Sequence, residues 1–325
     1  MKAITYAKYG PPEVLHIQEL EKPVPRDDEV LIRVRAAEAT KADCEMRSFK
    51  FAVKWFWLPL RIALGIRKPK RGVLGCYFSG EVDALGKDVT RLAIGEQVFG
   101  AAQLRMGAYA EFVCLPASYS IVTKPDNMSF ADAAAVPLGG LNALHFLRRA
   151  DVRPGDELLI NGAGGSIGAY AVQIAKAMGA DVTAVDKTIK EEFVRRLGAD
   201  DFIDYTKQDF TSMGRTYDVI FDMVPGSSYG ACIKLLNVGG RYLSGNPRLS
   251  VLLRAPLTTL FSKKKVIVAV ARESREELLA LKEMIERGQI HTIVDEIYSM
   301  QRAADAHRRV ETEQRLGAVV IAIGQ

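Results

Sequence analysis

The segment Leu158-Leu159-Ile160-Asn161-Gly162-Ala163-Gly164-Gly165-Ser166-Ile167-Gly168 constrains the fold more than any other part of the chain. An apolar run ends in a cluster of small residues, and a helical pattern begins at once, with Ile167, Tyr170, Ala171, Ile174, Ala175 and Met178 at the spacing of one helix face. Ala163, Gly165 and Gly168 read as an A-x-G-x-x-G variant of the dinucleotide fingerprint. Small residues there let the backbone turn tightly, approach a pyrophosphate and pack helix on strand, while the helix N-terminus offers free N–H donors. Gly162, Ala163, Gly164, Gly165, Ser166, Ile167 and Gly168 are therefore the candidate phosphate cradle. Asp186 ends the next apolar run, where an acid accepts hydrogen bonds from ribose hydroxyls and favours NADH. Lys187 and Lys190 follow, and basic residues there hold the 2′-phosphate of NADPH, so the form of the cofactor stays open.

Around this loop strand and helix patterns alternate. Strands are expected over 157–161, 181–185, 201–204, 217–222, 240–244 and 265–270, with helical segments between them, which predicts an α/β fold with a doubly wound parallel Rossmann sheet. Residues 1–122 read differently, as short alternating runs such as 29–35, 80–85 and 108–113 broken by turn residues, and predict a small β-rich domain. Between the two, Ser129 is an N-cap with Asp132 three residues on, opening one or two helices. The tail repeats strand, helix and strand over 294–297, 301–311 and 317–323. Such a tail cannot bury itself, so it is expected to rejoin the β-rich domain. The division expected for 325 residues is 1–122 completed by 290–325, and 123–289 as the dinucleotide domain.

Charge and cysteine patterns exclude other classes. The 44 basic and 39 acidic residues are interspersed, so nucleic acid is not an expected partner. Cys44, Cys76, Cys114 and Cys232 are too scattered for a disulfide framework or structural zinc site. No stretch reaches the length of a membrane-spanning helix, and the N-terminus alternates apolar and polar residues without a signal-peptide pattern, so the cytoplasm is the expected compartment.

Several further motifs run nearly end to end: Tyr9-Gly10-Pro11-Pro12-Glu13-Val14-Leu15, Gly95-Glu96-Gln97-Val98-Phe99-Gly100, Gly107-Ala108-Tyr109-Ala110-Glu111, Ala133-Ala134-Ala135-Val136-Pro137, Val172-Gln173-Ile174-Ala175-Lys176 and Leu197-Gly198-Ala199-Asp200. Together with the glycine loop they resemble the medium-chain dehydrogenase/reductase superfamily, in its zinc-independent quinone oxidoreductase (zeta-crystallin-like) branch. The resemblance implies a GroES-like catalytic domain, a Rossmann domain, NAD(P)H in the cleft between them and often a homodimer. A homodimer is also expected from the apolar edge strand 266–270, which would otherwise expose unpaired backbone groups.

Zinc-bearing relatives use an early Cys and a Gly-His-Glu triplet. Here Thr40 stands at the Cys position, Cys44 is out of register, and the triplet reads Gly75-Cys76-Tyr77. Zinc is therefore not expected, and Cys44 and Cys76 with a distant His would be its one route. Hydride transfer without a Lewis acid suits quinones, enones and other α,β-unsaturated carbonyl compounds. Thr40, Asp43 and Tyr77, at matching positions, are the candidates to stabilise or protonate the developing oxyanion. Relatives often carry Asn where Thr40 stands and Thr where Asn142 stands, so the polar lining differs.

On the cofactor side the resemblance puts Tyr205 near the adenosine. Asn142 is a further cofactor-binding candidate, and the Met223-Val224 pair and Ser244-Gly245-Asn246, at C-terminal strand ends where such sheets bind ligand, are expected near the nicotinamide. The aromatic-basic stretch 49–71 is expected to form an apolar lid over a small hydrophobic carbonyl or quinone substrate, with its basic stems in water. An interfacial membrane contact is a secondary reading of that stretch, and membrane contact is not the expectation. The expected activity is zinc-independent, NAD(P)H-dependent reduction of quinones or other α,β-unsaturated carbonyls. The alternatives are a metal-free alcohol dehydrogenase or carbonyl reductase, and a dinucleotide-binding protein without catalysis.

Overall fold

A computed structural model of the chain describes residues 1–51, 57–245, 247–269 and 273–324. The N-terminal half contains strands β1 (Lys2–Thr5), β2 (His16–Glu19) and β3 (Glu29–Ala39), helices α1 (Lys41–Ser48) and α2 (Trp57–Leu64), then β4 (Tyr77–Leu85), β5 (Gln97–Ala101), β6 (Phe112–Pro116) and β7 (Ile121–Thr123). Two helices follow, α3 (Phe130–Ala134) and α4 (Val136–Arg149), and Ser129 caps the first by accepting from the Asp132 N–H. The next part alternates β8 (Glu157–Asn161), α5 (Ser166–Ala177), β9 (Asp181–Asp186), α6 (Glu191–Arg196), β10 (Asp201–Asp204) and β11 (Tyr217–Asp222). It continues with α7 (Tyr229–Leu235), β12 (Leu236–Ser244), α8 (Leu249–Phe261), β13 (Lys265–Val268) and α9 (Arg275–Glu286), and the chain closes with β14 (Val294–Ser299), α10 (Ala303–Glu311) and β15 (Ala318–Ala322).

The sheet order β10-β9-β8-β11-β12-β13 is parallel throughout, and it reverses direction between β8 and β11. Burial on both faces explains why the middles of the central strands β8 and β11 are apolar at consecutive positions. Leu158 and Ile160 of β8 enter one core, with Val219 and Phe221, while Leu159 between them enters a second core on the other face, with Ile220 and Tyr242. A sheet buried on both faces by helices requires this pattern.

The other main sheet has the order β14-β15-β3-β4-β5-β7, with β6 also on β3. β15 runs antiparallel to β3, Val320 opposite Glu38, so the last two strands lie in the sheet of the N-terminal half. One strand expectation is corrected here. Of 108–113, only the end is strand, because Met106 and Gly107 take φ of 54° and 104° and turn the chain, and the Tyr109 N–H bonds the Leu74 carbonyl instead of a ladder partner. At the sheet edge β13 ends at Val268, and position 270 lies outside the described residues.

Candidate active site

The glycine loop sits where β8 gives way to α5. Gly162 has φ of +91°, a conformation that L side chains rarely adopt. At Gly168 a Cβ would lie 2.3 Å from the Gly162 carbonyl oxygen and 2.6 Å from Ala163 Cα, so only glycine lets α5 pack this close to the turn. Gly165 is the N-cap, and the first N–H groups of α5, from Ser166, Ile167 and Gly168, have no acceptor one turn earlier. That end of the helix is a ready anion site. The loop is braced from the other half of the chain, since Gly165 forms a bridge with Gly317 and the Ser166 hydroxyl lies 3.0 Å from Glu38 Oε1.

Asp186 does more for the loop than the sequence implied. Its carboxylate accepts from the Gly164 N–H and the Lys187 N–H, both at 2.8 Å, and Lys190 Nζ lies 3.5 Å away. Both partners of that ion pair are buried, and burial pulls the Lys190 ammonium down against the opposing pull of Asp186. Arg315 adds positive charge beside Lys190 and donates to the carbonyls of Gly317 and Val310 at 3.2 and 3.3 Å. Tyr205 follows β10, is half exposed, and its backbone N–H reaches the Asp186 carbonyl.

At the C-terminal strand ends lies a buried polar network the sequence did not reveal. Asn161 donates to Asp222 at 3.0 Å, Tyr242 donates to the same carboxylate at 2.6 Å, and Ser227 bonds it as well. Asp222 also takes the Val224 N–H, and the Asn161 carbonyl takes the Met223 N–H, so the network sets the Met223 and Val224 side chains beside Gly162. Ser244 is buried at the end of β12, and Gly245 faces the Phe146 ring. Asn246 lies outside the described residues. Asn142, on α4, spends its amide N–H on the Leu138 carbonyl of its own helix at 2.8 Å.

Thr40 and Asp43 are drawn together by helix capping. The Thr40 hydroxyl donates to Asp43 Oδ2 at 2.6 Å and accepts the Asp43 N–H, while that carboxylate also takes the Thr40 N–H. Asp43 Oδ1 holds the Gly75 N–H at 3.0 Å. Both side chains are buried, and burial raises the Asp43 carboxyl above its usual range. Their polar atoms are committed to positioning α1 and the turn before β4.

Tyr77, the first residue of β4, behaves differently. Its hydroxyl donates to Glu273 Oε1 at 2.9 Å, linking the sheet of the N-terminal half to the segment between β13 and α9. Burial raises both groups, Tyr77 strongly and Glu273 against the counteracting bond from Tyr77. Ser120 bonds the Glu273 carbonyl and holds the segment. No local signal marks Glu273, which is one acid before an ordinary helix cap. Glu38 is a second buried acid that sequence reasoning missed. Burial pushes its carboxyl up to about 8, and Oε2 has no protein partner.

The possible zinc ligands do not assemble. Cys44 Sγ lies 3.4 Å from His307 Nδ1, but Arg47 and Tyr109 take up that imidazole, and burial raises the thiols of Cys44 and Cys76. Among the described residues no three His, Cys, Asp or Glu side chains converge as a metal site would require. Also among the described residues, no helix is long and apolar enough to cross a membrane.

Residues 26–126 match the model of the alcohol dehydrogenase GroES-like domain, and residues 197–321 match the model described as zinc-binding dehydrogenase. The chain is 30% identical over 333 residues to 2-methylene-furan-3-one reductase of Solanum lycopersicum, covering 99% of this chain and 79% of that one. It is also 30% identical over 337 residues to the chloroplastic NADPH-dependent alkenal/one oxidoreductase of Arabidopsis thaliana, with the same two coverages of 99% and 79%. Among solved structures, the quinone oxidoreductase from Coxiella burnetii superposes with a TM-score of 0.88 at 30% identity over 99% of each chain.

Proposed function

Because the chain belongs to the medium-chain dehydrogenase/reductase superfamily, in its quinone oxidoreductase-like branch, we propose that it reduces quinones and enones with a nicotinamide dinucleotide as hydride donor. The observation that carries this is the glycine turn, where Gly162 takes a left-handed φ and Gly168 leaves room only for backbone beneath an open helix N-terminus. We read 1–122 with 290–325 as the catalytic unit and 123–289 as the dinucleotide unit, acting without zinc.

The bound cofactor supplies the hydride. The chain's own residues bind, orient and protonate. The N–H groups of Ser166, Ile167 and Gly168 hold the pyrophosphate, and the Met223-Val224 backbone and Ser244 line the approach to the ring. To protonate the oxyanion formed when hydride reaches the conjugated carbon, the Tyr77 hydroxyl turns its one proton from Glu273 Oε1 to the substrate oxygen, and it regains a proton from the Glu273 carboxyl, which burial favours in its acid form and solvent recharges. Thr40 and Asp43 position the β4 turn on which Tyr77 stands.

The phosphorylated cofactor fits the charges better. Asp186 is neutralised by Lys190 and engaged by two backbone N–H groups, while Lys187 is left to meet a 2′-phosphate and Arg315, held by the Gly317 and Val310 carbonyls, adds positive charge beside it. Antiparallel pairing of the β13 edge with that of a second copy would extend the sheet across a homodimer, and the cytoplasm is the proposed compartment. Parallel titrations with NADPH and NADH, each followed by quinones, enones and aldehydes, test the reading. Tight NADPH binding without turnover on any acceptor would leave a binding protein rather than a reductase.

A further inference from the structure

From Met46 to Gly80 the chain carries no Asp or Glu, and within that stretch α2 is turned inside out. None of its residues is buried, and Trp57, Leu58 and Ile62 are 46%, 62% and 57% exposed, followed by Ile66 at 64%. Leu58 and Ile62 stand one helical turn apart and share a face. The helix is nonetheless anchored. Arg61 stacks over the rings of Phe49 and Tyr9 at 4.2 and 4.6 Å, and the Tyr9 hydroxyl donates to the carbonyls of Leu64 and Gly65. The pinned side points to the body of the protein, so the apolar side is held outward.

Directly after it come Arg67, Lys68, Lys70 and Arg71, all exposed. Lys70 Nζ returns to the Ile62 carbonyl at 2.8 Å, which folds the basic turn back beside the apolar face. A contiguous apolar patch rimmed by cations calls for an occupant. Protein interfaces are depleted in lysine, and a second copy of this surface would bring like charges together. Nucleic acid would use the cations but leave Leu58 and Ile62 uncovered. An anionic lipid surface satisfies both halves at once, with aromatic and aliphatic side chains at the headgroup boundary and basic side chains on the phosphates.

We propose that α2 and the basic turn after it dock the protein peripherally on anionic lipid bilayers, with Leu58, Ile62 and Ile66 entering the interface and Trp57, packed edge-on against Phe49, at its margin. Full-length protein with NADPH bound would be mixed with vesicles of phosphatidylcholine alone or with phosphatidylglycerol and sedimented. In a Trp55→Phe background Trp57 is the only tryptophan of the chain, so its emission reports from α2. Binding to the anionic vesicles is expected to exceed that to neutral ones by at least about tenfold, to weaken in high salt and to shift Trp57 emission to the blue. Leu58→Ser with Ile62→Ser should remove the shift and most of the binding, with an unchanged thermal melt. Neutralising Arg67, Lys68 and Arg71 to Gln should remove the preference for anionic lipid. Equal, weak sedimentation with both vesicle types overturns the proposal, as does anionic binding that leaves Trp57 emission unmoved. A solution dimer abolished by the Leu58→Ser, Ile62→Ser pair, with no vesicle binding in the parent, would assign the patch to a second copy instead.

Discussion

The hydroxyl of Tyr77, on β4, and the carboxylate of Glu273, in the segment between β13 and α9, meet 2.9 Å apart although 196 residues separate them. The bond ties β4 to the segment before α9 and fixes the orientation of the proposed proton donor. Tyr77→Phe removes the proton and Glu273→Gln keeps a hydrogen-bond acceptor while removing the charge. A loss of general-acid catalysis is worth about 10²-fold or more, so kcat for an enone should fall by that factor in Tyr77→Phe, and less in Glu273→Gln. The Kd for NADPH, measured by quenching of its fluorescence, should hold in both. A fall in NADPH affinity with kcat preserved would make the pair a structural clasp.

Cofactor choice rests on the charges around Asp186. Lys187→Ala and Arg315→Ala should each raise KM for NADPH roughly 10-fold, the cost of one charged hydrogen bond, and leave KM for NADH nearly unchanged. Steady-state kinetics with both cofactors distinguishes this from a general loss of binding. Equal effects on the two would remove the assignment of the 2′-phosphate to these side chains.

Glu38 gives the fold a pH dependence of defined sign. Burial raises its carboxyl from 4.5 to about 8, so the folded state keeps a proton that the unfolded chain has released. The stability this provides is complete below pH 4.5 and is lost as pH rises toward 8, with a slope of about 1.4 kcal/mol per pH unit. Urea melts of wild type and Glu38→Gln across this window should diverge, the variant gaining on wild type as pH increases. Parallel curves would place the Glu38 titration outside the window.

Gly168→Ala puts a methyl group against backbone atoms that cannot rotate away, 2.3 Å from the Gly162 oxygen. Overpacking of this kind costs about 1–3 kcal/mol, and the loop must shift to relieve it. NADPH affinity should drop by an order of magnitude or more, by the same factor of about 1.4 kcal/mol per decade. Gly72→Ala, whose Cβ would meet only the Tyr6 oxygen at 3.7 Å, is the control that should leave binding intact.

The parallel sheet was legible because its strands are continuous apolar runs and its loop must be made of small residues. β8, β10 and β11 occur where alternation and composition placed them. The turn at Met106 and Gly107 was hidden, since nothing in Ala108 to Val113 betrays that Tyr109 is pulled inward by the Leu74 carbonyl. In the site, residue type alone could not distinguish a catalytic acid from a capping one. Asp43 and Thr40 carry the right atoms for catalysis, and the same atoms cap the N-terminus of α1. Glu273 and Glu38 matter through burial and through partners far away in the chain, which only the folded structure brings together. Asp186 had one local signal with two readings, and the burial of Lys190 against its carboxylate is what the sequence could not show.

The central claim is hydride transfer from a bound nicotinamide cofactor to an activated carbonyl acceptor. The most direct measurement follows NADPH absorbance as menadione is added to the purified protein. Oxidation of NADPH that requires both protein and quinone, saturates with each, and disappears in Gly168→Ala is the predicted result. Tight binding of NADPH with no acceptor-dependent oxidation, across quinones and enones alike, would contradict it.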